Sequence, residues 1–149
     1  ITDSLVGSEM CIRDRVGDDG PVADIAAVVK ELQSAGKVGT VGYCWGGTLS
    51  FLAATRIEGV SGSVVYYGGQ IVPYKDETAK APLQMHFGDM DAGIPMEDVD
   101  QIKAAQPQAD VHVYHADHGF NCDHRSQYDE ESCALARERS LAFFAQNVG

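Results

Sequence analysis

Apolar residues at Val22, Ile25, Ala26, Val29 and Leu32 recur at spacings of three and four, the period of one helix face, so Val22 to Ala35 is expected to be helical. Gly36 follows as the expected C-cap. The pattern then shortens: Val38 to Tyr43 is an apolar run suited to a strand buried in a parallel sheet, and helical patterning resumes from Thr48 to Ala54 directly after Gly46-Gly47. Gly62 to Tyr67, bounded by Gly68-Gly69, and Pro82 to Phe87 read as two further strands. Met96 to Ala105 reads as a helix, Val111 to Tyr114 as a strand, and Ser126 to Asn147 as a long closing helix. The expected buried side of that last helix is Leu135, Leu141, Phe143 and Phe144, with Asp129, Glu130, Glu131, Arg137, Glu138 and Arg139 facing water.

Strands alternating with helices imply an α/β domain, with a mostly parallel sheet covered by helices on both faces. No internal repeat, linker or low-complexity tract divides the chain, so one domain or part of one is expected. A chain of 149 residues that is 44% hydrophobic can build a core without disulfides or metals.

Residues 1–15 stand apart. They carry no amphipathic period and join abruptly to Gly17-Asp18-Asp19-Gly20-Pro21, where ordinary patterning starts. Leu5 to Asp14 can be back-translated as CTC GTG GGC TCG GAG ATG TGT ATA AGA GAC, which resembles a transposon-end sequencing adapter. We therefore expect 1–15 to be a non-native, adapter-derived segment and 16–149 to be the C-terminal portion of a domain that lacks its N-terminal strands.

A net charge of −11 disfavours nucleic acid, whose backbone is bound by basic side chains, and the acidic balance survives removal of the first fifteen residues. Cys11, Cys44, Cys122 and Cys133 form no CxxC pair and no framework spacing, which argues against disulfides and a cysteine zinc cage. No window approaches a membrane span, and no basic segment precedes an apolar run at the start. The expectation is a cytoplasmic protein with neither membrane nor nucleic-acid partners.

Within this frame the chemistry concentrates at Gly42-Tyr43-Cys44-Trp45-Gly46-Gly47, between an expected strand and an expected helix. Glycines two residues either side of Cys44 permit the tight turn of a nucleophile elbow, and the helix behind it favours a thiolate and a developing oxyanion. The Trp45 backbone N–H is the expected oxyanion-hole donor, and the Trp45 side chain is expected to line the acyl pocket. A thiol nucleophile needs a base, and the base needs an acid to orient it; where the nucleophile sits on such a strand-to-helix elbow these follow in the chain order nucleophile, acid, histidine. Asp91 is preferred as the acid because it lies further along its loop, with Asp89 the alternative. His118, followed by Gly119, is preferred as the base over His112, which lies inside a strand, and over His115 at a strand end. Cys122 and Cys133 read as inert or surface thiols. Tyr43, Phe51, Tyr66 and Tyr67 read as core or pocket wall.

These three ordered motifs resemble the dienelactone hydrolase family, small cytoplasmic proteins of the α/β-hydrolase fold whose elbow uses cysteine in place of serine. The family's Phe-Gly-x-x-Asp-x-x-x-Pro loop matches Phe87-Gly88-Asp89-Met90-Asp91 with Pro95, and its His-x-Phe turn matches His118-Gly119-Phe120. The resemblance implies that Cys44 attacks an ester or enol-lactone carbonyl, His118 shuttles the proton, Asp91 holds His118, and an acyl-thioester is then hydrolysed. It also implies no metal or organic cofactor, a small-molecule ester or lactone substrate, and a monomer or small homo-oligomer. At the position of the family's carboxylate-binding arginine this chain has Cys122, with Arg125 three residues on as its substitute; Tyr43 and Trp45 complete the expected substrate-binding set. A second substrate arginine, a glutamate that controls the resting thiol, and the second oxyanion donor would come from upstream sequence. Two alternatives stay open: a zinc site built on His115, His118 and Cys122, near Asp117 and His124, and a catalytically inactive fragment.

Overall fold

The computed structural model describes residues 13–149; the expectation for residues 1–15 therefore lies mostly outside the described part. Helix α1 (Asp19–Leu32) leads into β1 (Val38–Tyr43), α2 (Trp45–Arg56), β2 (Val60–Tyr66), a short 3-10 helix at Val72–Tyr74, β3 (Leu83–Gly88), α3 (Met96–Ala105), β4 (Asp110–Tyr114) and α4 (Glu130–Asn147). The four strands lie in the order β1-β2-β3-β4, all parallel, with Tyr43 opposite Tyr66, Tyr66 opposite His86, and Gly88 opposite Tyr114. Their carboxyl ends therefore align along one edge of the sheet. In open α/β folds that edge is where sites form, because the loops leaving adjacent strands converge there.

Alternate residues of β2 show how the two faces are covered. Gly62 lies against the Phe143 ring and Tyr66 Oη bonds Ser140 Oγ at 2.8 Å, so this face meets α4. Ser63 points the other way, where its hydroxyl lies 2.7 Å from Thr40, which in turn lies 2.8 Å from Ser50 on α2. Val64, Val65, Met85 and Phe87 of the strands, with Phe51 and Leu52 of α2 and Val99 and Ile102 of α3, are fully buried in the core.

Several element ends depart from expectation for local reasons. Helix α1 stops at Leu32 because Ala35 N–H returns to the Leu32 carbonyl in a turn, so Gly36 lies beyond the cap. Helix α2 begins at Trp45, not Thr48, since the elbow itself starts the helix. Helix α4 begins at Glu130, not Ser126, because the Asp129 carboxylate accepts from Ser132 N–H at 2.8 Å and caps it there.

The buried face of α4 is a correction. Leu135 and Leu141 are exposed, Phe143 and Phe144 are half-buried, and Ser132, Ala136 and Ser140 form the buried stripe. Small residues four apart bring the helix close to the sheet, where Phe144 packs onto Gly39. Of the charges expected in water, Asp129 is the cap and Arg139 lies over the Tyr114 ring, donating to Tyr114 Oη at 3.1 Å. In α1 likewise Leu32 is exposed, while Val22 and Val29 are buried.

Ser140 also completes a polar strip beneath β3. Gln84 donates to Asp110 through Nε2, so its Oε1 accepts from His86 Nε2 at 3.0 Å, with Ser140 Oγ also 3.0 Å from that nitrogen, and His86 Nδ1 is left to accept the Tyr114 proton at 2.8 Å. Ser140 donates to the Ala136 carbonyl and so accepts from Tyr66. His86 is wholly buried with no carboxylate beside it. Burial, then the neighbouring His112 and Arg139, outweigh the opposing pull of Asp110 and push its pKa down to about 3, so it stays neutral.

Candidate active site

The elbow forms where β1 ends against α2. Cys44 adopts φ 55° and ψ −122°, a conformation costly for a residue with a Cβ and found mainly where surroundings enforce it. Gly42 makes the turn possible, since a Cβ there would lie 1.8 Å from the Gly46 carbonyl oxygen. Gly46 has open space around it, contrary to the symmetrical reading of the motif. The second tight position is Gly47, where a Cβ would meet the Tyr66 carbonyl oxygen at 2.6 Å. Two close backbone approaches thus hold Cys44 at the head of α2, whose first N–H groups lack partners within the helix.

His118 arrives on the loop after β4. Its Nε2 lies 3.2 Å from Cys44 Sγ and its Nδ1 lies 2.7 Å from Asp91 Oδ2. Asp91 is buried, and its other oxygen accepts from the Gly93 and Ile94 backbone N–H groups at 2.8 and 3.2 Å. The carboxylate therefore cannot swing away without abandoning three donors. Burial opposes charge on His118, but hydrogen bonds and attraction from Asp91 and Cys44 outweigh it and raise its pKa to about 10. The imidazole is thereby held as a cation 3.2 Å from Cys44 Sγ.

The structure separates the alternatives that sequence left open. Asp89 pairs with His115, 3.1 Å away on the surface, and does not reach His118. His112 sits in β4 against Asp110 at 2.9 Å. His115 and His118 thus each face their own aspartate, and among the described residues no three His, Cys, Asp or Glu side chains are grouped to hold a metal ion.

Beside Cys44 opens a cavity of about 380 Å³ lined by Tyr43, Cys44, Tyr67, Gly119, Asn121, Cys122, Asp123 and Arg125. Tyr43 and Arg125 are thus placed with the thiol as expected. Trp45 is not in this lining: its indole N–H donates to Asp18 at 2.8 Å, which turns its polar edge toward the start of α1. Cys122, expected as an inert or surface thiol, is half-buried in the cavity wall, while Cys133 is half-buried and donates to Asn121 Oδ1.

Two residues gain a more particular place than sequence gave them: Tyr67, read there as core or pocket wall, and Asp18, given no role. Tyr67 has φ 39°, rare for an aromatic residue, and its ring lies 5.1 Å from His118 between the core and the cavity. Asp18 is the other; its side chain makes no helix-capping bond despite its place before α1. An acid before a helix reads as a cap, so no local signal separated it from that role.

A parallel sheet, a cysteine on a strained strand-to-helix turn, and an aspartate-held histidine over it define a protein of the α/β-hydrolase fold. Residues 10–148 match the model of the dienelactone hydrolase family. The chain belongs to that family. It is 37% identical over 134 residues to the carboxymethylenebutenolidase of Pseudomonas putida, covering 83% of this chain and 56% of that protein. The Pseudomonas knackmussii carboxymethylenebutenolidase matches with the same figures. The chain thus spans little more than half the length of these relatives. A crystal structure from Klebsiella pneumoniae, provisionally named a dienelactone hydrolase, superposes with a TM-score of 0.81 at 31% identity, over 89% of this chain and 63% of that one. A Pyrococcus furiosus esterase shares the fold, with a TM-score of 0.71 at 15% identity, over 88% of this chain and 63% of its own. Among the described residues no helix is long and apolar enough to cross a membrane.

Proposed function

We propose that this chain carries the catalytic portion of a hydrolase that opens carboxylic esters or enol lactones through Cys44, with His118 as proton shuttle and Asp91 as its orienting acid. The observation that carries the reading is the continuous contact from Cys44 Sγ to His118 Nε2 at 3.2 Å and from His118 Nδ1 to Asp91 at 2.7 Å. The Cys44 thiolate adds to the carbonyl carbon, and the oxyanion that forms is met by the Trp45 N–H at the start of α2. Collapse expels the alcohol or enol, which takes the proton from His118 Nε2, leaving an acyl-thioester on Cys44. Water then attacks the thioester as His118 accepts its proton, and the acid departs with Cys44 restored as a thiolate.

The P. putida and P. knackmussii relatives carry the name carboxymethylenebutenolidase, which supports a lactone as substrate class. Arg125 in the cavity wall is suited to a substrate carboxylate, its side chain lying along Gly119 beside His118. Tyr43 supplies an aromatic wall. The thiol chemistry as written uses no cofactor. Residues 1–15 are read as an adapter-derived segment with no part in it.

The test is Cys44→Ala, assayed on an activated aryl ester. Abolished hydrolysis supports the proposal, and unchanged turnover sinks it. A second reading, that the chain as it stands is inactive, is favoured by β1 lying at the sheet edge with Val41 and Tyr43 about half exposed beside the nucleophile. Ester turnover by the chain itself would end that reading.

A further inference from the structure

Two carboxylates are buried among the described residues, Asp91 and Asp18. Asp91 is accounted for by His118. Asp18 lies just before α1, outside the lining of the cavity at Cys44, and caps nothing, yet its side chain is only 4% exposed. Burying a carboxylate is costly unless donors surround it; Trp45 and Tyr74 do so here from separate segments, joined by Arg13 from the segment read above as adapter-derived, so the inference stands on Trp45 and Tyr74. Trp45 Nε1 donates to Oδ1 at 2.8 Å, Tyr74 Oη donates to Oδ2 at 2.8 Å, and Arg13 reaches both oxygens at 3.3 to 3.4 Å. Burial would raise the Asp18 pKa, but the bonds from Trp45, Tyr74 and Arg13 hold it below its ordinary value, so the group is charged at neutral pH.

The significance lies in which residue is held. Trp45 immediately follows Cys44, and the peptide joining them carries the N–H assigned above to the oxyanion. That peptide follows a cysteine with φ 55° and ψ −122°, a geometry that persists only where neighbouring contacts enforce it. The close approaches at Gly42 and Gly47 restrain the turn on either side. The indole anchored on Asp18 restrains it from within, at the residue that bears the donor. Tyr74, the second partner, ties the same carboxylate to the 3-10 helix, and Arg56 at the end of α2 lies over the Tyr74 ring at 5.1 Å.

We propose that Asp18 is a positioning residue for the oxyanion site: by anchoring the Trp45 indole it fixes the Cys44–Trp45 peptide in the orientation that stabilises the tetrahedral intermediate. This rests on the functional reading given above. An oxyanion donor acts in the transition state and not on the bound ester, so its misplacement lowers kcat and leaves KM unchanged. A residue that merely held α1 to α2 would instead lower the melting temperature and spare kcat in folded protein.

The experiment is a cycle of Asp18→Asn, Trp45→Phe and their double variant on the full chain, with Tyr74→Phe and Cys44→Ala as references, following hydrolysis of an activated aryl ester. Trp45→Phe keeps an aromatic ring but removes the anchoring N–H together with part of the ring's bulk. It is expected to lose about tenfold in kcat at constant KM, with Asp18→Asn losing less because its amide oxygen can still accept from the indole, and the double no worse than Trp45→Phe alone. Tyr74→Phe is expected to lower the melting temperature while keeping kcat, because the Trp45 bond remains. If Asp18→Asn does not fold, the contrast between Trp45→Phe and Tyr74→Phe decides. Wild-type kcat in folded Trp45→Phe, or equal kcat losses in Trp45→Phe and Tyr74→Phe, overturns the inference while Cys44→Ala is inactive. Full turnover by Cys44→Ala would instead fail the functional reading beneath it.

Discussion

Two histidine–aspartate pairs leave the carboxyl end of the sheet side by side, both joining the loop after β3 to the loop after β4. His118 with Asp91 and His115 with Asp89 have nearly equal sequence separations, 27 and 26 residues, and differ mainly in burial. In the first pair the side chains are 28% and 1% exposed and meet at 2.7 Å; in the second they are 82% and 40% exposed and meet at 3.1 Å. Water screens the outer pair and competes for its hydrogen bonds, whereas Asp91 is fixed by two backbone donors and acts on His118 through little solvent. His86 makes the complementary point: it is buried deeper than either, but without a carboxylate, and its pKa falls to about 3 where that of His118 rises to about 10. Burial beside basic neighbours removes charge from a histidine. Burial with a fixed anion retains it, here 3.2 Å from the Cys44 thiol.

The contrast can be broken most forcefully at the histidines. His118→Asn is expected to lower ester turnover by roughly 10² to 10⁴, the range for loss of a general acid–base group, while His115→Asn stays within about twofold. Comparable losses in both would erase the distinction. One step out, Asp91→Asn is expected to cost about a hundredfold in kcat, since the amide no longer holds a charged imidazole, and Asp89→Asn is expected to leave kcat unchanged. Paired kinetics on the four variants read both comparisons.

The pH dependence sharpens the comparison further. Because the folded-state pKa of His118 is raised, its contribution to stability is full below about pH 6.5, its unfolded value, and is lost progressively as pH rises toward about 10. Urea unfolding at pH 6 and pH 9.5 is expected to show this loss in the wild type and to show less of it in Asp91→Asn. A loss unchanged by that substitution would mean that another group carries it. The smallest effect belongs to the outer pair: His115→Gln is expected to shift stability by no more than about 0.5 kcal/mol, because exposed ion pairs contribute little.

The alternation of elements was legible because parallel strands and covering helices impose different periods, and the order of Cys44, Asp91 and His118 followed from the loops between them. The choice between Asp91 and Asp89 was not settled by sequence, because both lie on one loop and only the Gly93 and Ile94 N–H groups distinguish them. The α4 face was misjudged because hydrophobicity favours leucine, whereas the close approach of the helix at Gly39 and Gly62 selects serine and alanine. Gly46 was overrated and Gly47 underrated for a related reason: the motif shows where glycines stand, not which backbone atom each would strike. Asp18 lies 27 residues from Trp45, and a side-chain contact at that distance leaves no periodic trace.

The central claim is that Cys44 is acylated. Incubating the protein briefly with an activated ester, quenching in acid and sequencing the peptides by mass spectrometry measures this directly. The account predicts one acyl group on Cys44, abolished in His118→Asn; an acyl group on Cys122 instead, or none while ester is being turned over, would contradict it.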